Sequence, residues 1–302
     1  MTERAIQTEA LTKYYGSQRG VEDLDLEVRT GEVYGFLGPN GAGKTTTIRL
    51  LMDFIRPTRG TARVLGLDSS ASPIDIHRRV GYLPGELDMY DRLTGGEMIR
   101  YFGNLRGFDA WHRVDEIAGA LELDLSVKIG EYSSGNKQKA GLVQAFMHEP
   151  ELLILDEPTN ALDPLIQQVF YRMVEEVISS GRTVFLSSHI LPEVERIADR
   201  VGIIRDGTLV AAETVDALKQ RAVRRLQLYF DAEVDHRDFA AIEGVTSARS
   251  MNHGRAVAVE VEGSVEAVMR AAVERRLTNV TSESADLAGV FLAYYSGDDD
   301  AA

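Results

Sequence analysis

Residues 38 to 45 read Gly38-Pro39-Asn40-Gly41-Ala42-Gly43-Lys44-Thr45, a complete G-x-x-x-x-G-K-[ST] phosphate loop. The apolar run Val33-Tyr34-Gly35-Phe36-Leu37 precedes it and reads as a buried strand. Thr45 to Met52 follows as a helix-capable stretch, so the loop sits between strand and helix. Its glycines let backbone N–H groups turn inward toward phosphate oxygens. Lys44 adds positive charge for the β- and γ-phosphates, and the Thr45 hydroxyl suits a Mg²⁺ ligand. The helix N-terminus adds its dipole. A plain Gly-rich turn is the structural alternative, but strand, loop, Lys-Thr and helix in this order argue for a nucleoside triphosphate.

Composition bounds the rest. The chain has 302 residues, enough for one large domain and a small one. Hydrophobic residues make up 44%, so a sizeable core is possible. A net charge of -14 gives no bulk attraction for nucleic acid or anionic lipid, so membrane contact is expected through a protein partner and not directly. There is no Cys, hence no disulfide and no thiolate metal site. The opening Met1-Thr2-Glu3-Arg4-Ala5-Ile6 lacks the long apolar stretch of a signal peptide. No segment approaches the roughly 18 consecutive apolar residues of a membrane helix.

Residues 5 to 30 read as short strands with turns, for example Leu24 to Val28 before Thr30-Gly31. Thr61 to Leu65 and Val80 to Leu83 read as further strands, the second stopped by Pro84. From about 95 to 147 the pattern is mostly helical, with Met98, Ile99, Tyr101, Phe102 and Leu105 expected on one face. Leu152 to Leu155 is an apolar strand ending in Asp156-Glu157-Pro158. Leu165 to Ser179 is a helix closed by Gly181, and Thr183 to Leu186 another strand. Asp206-Gly207 between Val201–Ile204 and Thr208–Ala211 is a hairpin signal. Strands alternating with helices predict an α/β fold with a mostly parallel, covered sheet. Gln220 to Arg225 reads as a charged connector. Beyond it, strands at Leu226–Phe230 and Ala256–Val261 and helices at Val265–Arg275 and Asp286–Tyr295 suggest a small α+β domain. The tail Asp298-Asp299-Asp300 is expected to be disordered. The domain division is therefore 1–220 and 221–302, with a helical subdomain at about 86–150.

Asp156 lies at the carboxyl end of its strand, where ligands bind in open α/β sheets. There it can support Mg²⁺, and Glu157 can act on an attacking water. Between phosphate loop and acidic pair lies Tyr132-Ser133-Ser134-Gly135-Asn136-Lys137-Gln138-Lys139. This resembles the Leu-Ser-Gly-Gly-Gln signature of ATP-binding-cassette (ABC) ATPases. Ser133 and Gly135 open a helix, whose N-terminus attracts anions.

The resemblance covers roughly residues 5 to 220 and has several implications. It implies a P-loop ABC ATPase fold, with an antiparallel β subdomain and a helical subdomain beside the parallel core. It implies a head-to-tail homodimer with two ATP molecules, each held by Gly38 to Thr46 of one copy and by Ser133, Gly135 and Asp163 of the other. Tyr15 matches the aromatic that stacks on adenine, with Tyr14 as the fallback and a core role open for either. His189, in Ser187-Ser188-His189, matches the switch histidine at the γ-phosphate. Lys44, Glu157 and His189 are thus the implied catalytic set, with Thr45 and Asp156 on the metal.

Two departures stand out. Ser134 replaces a signature glycine, a variant similar to those of ABC-2-type exporters. Gly85, in Tyr82-Leu83-Pro84-Gly85-Glu86, occupies the expected glutamine of the Q-loop. Either Glu86 substitutes for that glutamine, or the loop only transmits motion. The stretches Thr45 to Arg49, Ser188 to Glu195 and Asp286 to Leu292 look like ATPase subunits of ABC-2-type drug or antibiotic exporters. The resemblance therefore implies ATP hydrolysis powering export through a separate ABC-2-type permease. The subunit would sit peripherally on the cytoplasmic face of the cell membrane. A standalone or regulatory ABC ATPase is the alternative. A chromosome or DNA-repair ATPase would need long heptad insertions, which residues 46 to 131 do not hold.

Overall fold

The computed structural model describes residues 3–221 and 223–282. Two compact units emerge, residues 1–212 and 213–302. The first begins with β1 (Arg4–Tyr15), β2 (Gln18–Leu24), β3 (Glu27–Arg29) and β4 (Val33–Leu37), then α1 (Lys44–Leu51), β5 (Arg59–Val64) and β6 (Leu67–Asp68). It continues through α2 (Pro73–Arg79), β7 (Val80–Leu83), α3 (Gly95–Arg106), α4 (Trp111–Ala120) and α5 (Ser134–Phe146). It closes with β8 (Leu152–Asp156), α6 (Pro164–Ser179), β9 (Thr183–Ser188), α7 (Leu191–Ile197), β10 (Arg200–Arg205) and β11 (Thr208–Thr214), where the division falls.

Two sheets carry this unit. One has six strands in the order β11-β10-β4-β9-β8-β7, with β10, β4, β9, β8 and β7 mutually parallel. Every residue of β4, β8 and β9 is buried, as continuous apolar runs in a sheet covered on both faces require. The other sheet has five strands, β2-β1-β5-β6 with β3 beside β1, in antiparallel pairs. A single apolar cluster joins the two sheets: Leu11, Val28 and Val64 from the antiparallel sheet meet Phe36, Ile154 and Phe185 from the parallel one, with Ile48 and Leu51 of α1. This core anchors the strand before the phosphate loop and the helix after it. Among the described residues no helix is long and apolar enough to cross a membrane.

The helical stretch from 95 to 147 is three helices, α3 to α5. Its expected apolar face holds only in part. Met98 and Ile99 are buried, but Tyr101 and Leu105 are 48% and 67% exposed. The buried stripe instead runs through Gly95, Met98, Ile99 and Gly103, the i, i+3, i+4, i+8 spacing of one helix face; position 101 falls away from it, while Leu105, seven residues on from Met98, is exposed near the helix end.

The second unit contains α8 (Val215–Arg221), β12 (Val223–Phe230), α9 (Arg237–Ala240), β13 (Val245–Met251), β14 (Ala256–Glu262), α10 (Glu266–Glu274) and β15 (Leu277–Ser282). From β12 the order is β-α-β-β-α-β, and the sheet order β13-β14-β12-β15 with antiparallel pairs is the ferredoxin-like arrangement. Its core is Leu226, Leu228, Phe230, Val257, Val259 and Val261 under Phe239 and Val268. The stretch read as a connector, Gln220 to Arg225, is the end of α8 and the start of β12. Pairing with β14 runs through it, and Arg225 meets Glu260 across the strands at 3.3 Å. Arg225 is an outward position of a strand, which composition alone reads as solvated linker. The expected helix at Asp286–Tyr295 and the Asp298–Asp300 tail lie outside the described residues.

Candidate functional site

Two glycines of the phosphate loop, Gly38 and Gly43, are required by close packing. A Cβ on Gly38 would stand 2.5 Å from the Ile204 carbonyl of β10. Gly43 adopts φ 110° as the residue before α1, a conformation open to glycine. The loop is also braced by a distant turn. Asp206 and Gly207 take φ of 49° and 81°, as a type I′ hairpin turn demands. The Gly207 N–H donates to the Ala42 carbonyl at 2.9 Å, and its own carbonyl accepts from Glu22 N–H at 2.8 Å.

Above the loop opens a cleft of about 310 Å³, lined by Tyr15, Gln18, Arg19, Gly20, Pro39, Asn40, Gly41, Gly43, Lys44, Thr45, Thr46 and Glu157. Gly38 and Ala42 are not part of its lining; Ala42 is buried. Tyr15 is 45% exposed in the cleft, with Lys13 Nζ 5.3 Å from its ring centre. Tyr14 turns away, and its hydroxyl donates to Glu22 at 2.7 Å. The fallback aromatic is thus committed elsewhere. Gln18, Arg19 and Gly20 had no motif to mark them; the one signal was a glycine inside a strand pattern.

Six side chains from β8, β9, α1 and the strand ends meet beside the phosphate loop. Lys44 Nζ donates to the Gly38 carbonyl at 2.5 Å and the Pro39 carbonyl at 3.2 Å. It also pairs with Glu157 Oε1 at 3.1 Å, an ion pair too bent to be a hydrogen bond. The Thr45 hydroxyl donates to Asp156 Oδ2 at 2.7 Å. Asp156 is fully buried, and its other oxygen accepts from the Ser187 hydroxyl at 2.5 Å. Ser187 Oγ in turn accepts from Glu157 N–H at 3.0 Å. His189 Nδ1 lies 2.8 Å from Glu157 Oε2, so lysine and histidine hold the two oxygens of one carboxylate. Ser187 was present in the sequence motif only as a neighbour of His189; its hydroxyl links the two acids.

The Q-loop runs beside this cluster. A Cβ on Gly85 would stand 3.0 Å from Asp156 Oδ2, so glycine is what allows the loop to come this close. Burial, and then the Asp156 charge, push the Tyr82 phenol up to about 12, which keeps it a neutral hydroxyl.

The signature segment lies apart from the cleft lining. Ser133 caps α5, accepting from Asn136 N–H at 3.2 Å, and both Ser133 and Ser134 are exposed. The extra Cβ of Ser134 therefore points to open surface at the first turn. Gly135 is constrained, because a Cβ there would stand 2.7 Å from the Ala161 carbonyl. Tyr132, in place of the usual leucine, fills space left by Gly95, where a Cβ would collide with its hydroxyl. That hydroxyl donates to the Asp124 carbonyl at 2.6 Å. Asp163 is exposed and caps α6 through Leu165 and Ile166 N–H at 3.0 and 3.1 Å.

The family model described as ABC transporter matches residues 21–160. The bacitracin transport ATP-binding protein BcrA of Bacillus licheniformis is 40% identical over 225 residues, 74% of this chain and 74% of that protein. The daunorubicin/doxorubicin resistance ATP-binding protein DrrA of Streptomyces peucetius is 38% identical over 237 residues, 75% of this chain and 71% of that one. Among solved structures, an ATP-binding subunit of an ABC transporter superposes with TM-score 0.66 at 31% identity, covering 72% of this chain and 92% of that one. The cassette MJ0796 shares the fold at TM-score 0.64 and 20% identity, with 70% and 98% covered. A braced phosphate loop, an acidic strand end and a separate signature helix, together with this similarity over most of the chain, make it a member of the ATP-binding subunits of ABC transporters, which are ATPases.

Proposed function

We propose that this chain is the motor of an exporter for a drug, antibiotic or lipid-like substrate, acting on a separate ABC-2-type permease at the cytoplasmic face of the membrane. BcrA and DrrA, named for bacitracin transport and for daunorubicin/doxorubicin resistance, support that substrate class. The observation that carries the reading is the convergence of Lys44, Thr45, Asp156, Glu157 and His189 around one cleft.

The triphosphate lies on the loop amides at the α1 N-terminus, with Tyr15 against the base. It competes with Glu157 for Lys44, and the carboxylate then turns to an attacking water. Glu157 takes a proton from that water as its oxygen bonds the γ-phosphorus; the bond to the β-γ bridging oxygen breaks, giving ADP and phosphate. His189 steadies Glu157 and adds a donor near the γ-phosphate. Thr45 Oγ1 and Asp156 Oδ2 are hard oxygen donors meeting at one point, and they would hold Mg²⁺, which supplies charge neutralisation when bound. Ser133, Gly135 and Asp163 stand outside the lining of their own chain's cleft and exposed or half-exposed, which suits a second copy placed head to tail.

The test is Glu157→Gln. Turnover is expected to fall at least about a hundredfold, with ATP binding kept and an ATP-dependent dimer accumulating in size-exclusion chromatography. Normal turnover in this variant would sink the assignment. Absence of any permease after detergent solubilisation and co-purification would favour a standalone ATPase.

A further inference from the structure

Gln138 lies one turn into α5 and is 6% exposed. Its Nε2 donates to the Glu157 carbonyl at 3.2 Å and the Pro158 carbonyl at 2.9 Å. Those carbonyls belong to a strained turn. Glu157 has φ 50°, a left-handed conformation that a non-glycine residue holds only when its surroundings enforce it. The enforcement comes from two sides. Ser187 of β9 grips the Glu157 N–H, and Gln138 of α5 grips its carbonyl. Three residues before Gln138, Gly135 packs on the Ala161 carbonyl at the far end of the same turn. The helix that begins at Ser133 is therefore fastened at two points to the segment that aims the Glu157 carboxylate.

We propose that Gln138 is a positioning residue that couples the two nucleotide sites of the dimer. The inference rests on the shared-site reading above. When nucleotide held by the other copy engages the N-terminus of α5, the shift passes through the Gln138 amide to the Glu157 backbone. The carboxylate is thereby aligned in its own chain's cleft. One site then hydrolyses well only when the other is filled, a positive coupling with a stated mechanical link.

The experiment uses the full chain with ATP and Mg²⁺. Gln138→Leu keeps the bulk and removes the donor; Gln138→Met serves if the branched side chain fails to fold. Steady-state hydrolysis gives kcat, KM and the Hill coefficient, and sedimentation measures the ATP-dependent dimer in the Glu157→Gln background. The expected result is a kcat lowered about 10- to 100-fold, as for a misplaced reacting group. KM and dimer formation stay unchanged, and the Hill coefficient falls toward the non-cooperative value. A kcat and Hill coefficient equal to wild type overturn the proposal. So does a kcat loss matched by lost dimerisation, which marks a purely structural contact. If Glu157→Gln alone forms no ATP-dependent dimer, the shared-site reading fails first, and the coupling falls with it.

Discussion

The phosphate-loop surface and the signature surface belong to one unit, yet they are built in opposite ways. At the phosphate loop the charged groups are buried and answer one another: Asp156 is fully buried, Lys44 is 6% exposed, and Glu157 is held by both Lys44 and His189. At the signature, small residues stand exposed, and the Ser133 hydroxyl is occupied only by its own helix. The first surface is a preorganised cluster of charges within its own chain. The second offers a helix N-terminus and a hydroxyl with no charged partner across from them. The contrast teaches that the charged cluster and the signature are separated on the molecule, so a change at one surface should not mimic a change at the other.

The strongest way to break this contrast is Lys44→Ala. It removes the cation from the cleft, and ATP affinity of the isolated subunit should fall roughly a hundredfold, the worth of charged hydrogen bonds to phosphate, read by calorimetry. Wild-type affinity would mean that the cleft is not the nucleotide site. Next is Ser133→Arg at the other surface. ATP affinity of the isolated subunit should stay the same while turnover drops roughly tenfold through misplacement in the shared site. A drop in affinity equal to that of Lys44→Ala would erase the distinction between the surfaces.

The last test reads stability instead of binding: acid acting on the rear of the signature helix. His148 follows α5 and sits 3.1 Å from the Arg106 guanidinium, with a buried Nδ1 that has no partner. Burial, and secondarily the Arg106 charge, push its pKa down from 6.5 to about 4. The unfolded chain thus binds a proton that the folded chain refuses. The stabilisation is fully present above pH 6.5 and is lost as pH falls toward 4, on the order of 3 kcal/mol over that window. Thermal unfolding across it should show the loss, and His148→Leu should flatten the slope. An unchanged slope in that variant would assign the acid sensitivity elsewhere.

Much of the site was legible because its parts are local. A strand, a glycine loop and a helix N-terminus make a phosphate cradle from contiguous residues, and Leu152 to Asp156 places an acid at a strand end by the same short-range logic. The hairpin at Asp206-Gly207 was likewise legible as a turn, but not as the brace under Ala42. The face of α3 was misjudged at Tyr101, where apolar identity was given more weight than helical phase, and at Leu105, which keeps the phase of Met98 but is exposed near the helix end. The connector at Gln220 to Arg225 was misjudged because arginines look alike in a linker and on the open face of a strand.

By itself, then, the sequence determined which chemical groups this protein owns and in what order: the phosphate loop, the signature, the Asp156-Glu157 pair and His189. Tertiary structure alone decided how they are joined. Lys44 and Glu157, Thr45 and Asp156, Gln138 and the Glu157 carbonyl are pairs far apart in the chain, brought to within 3.2 Å. Nothing in local propensity encodes such distances. They follow from a parallel sheet that gathers the ends of β4, β8 and β9 along one edge, and from a core that fixes α1 against them.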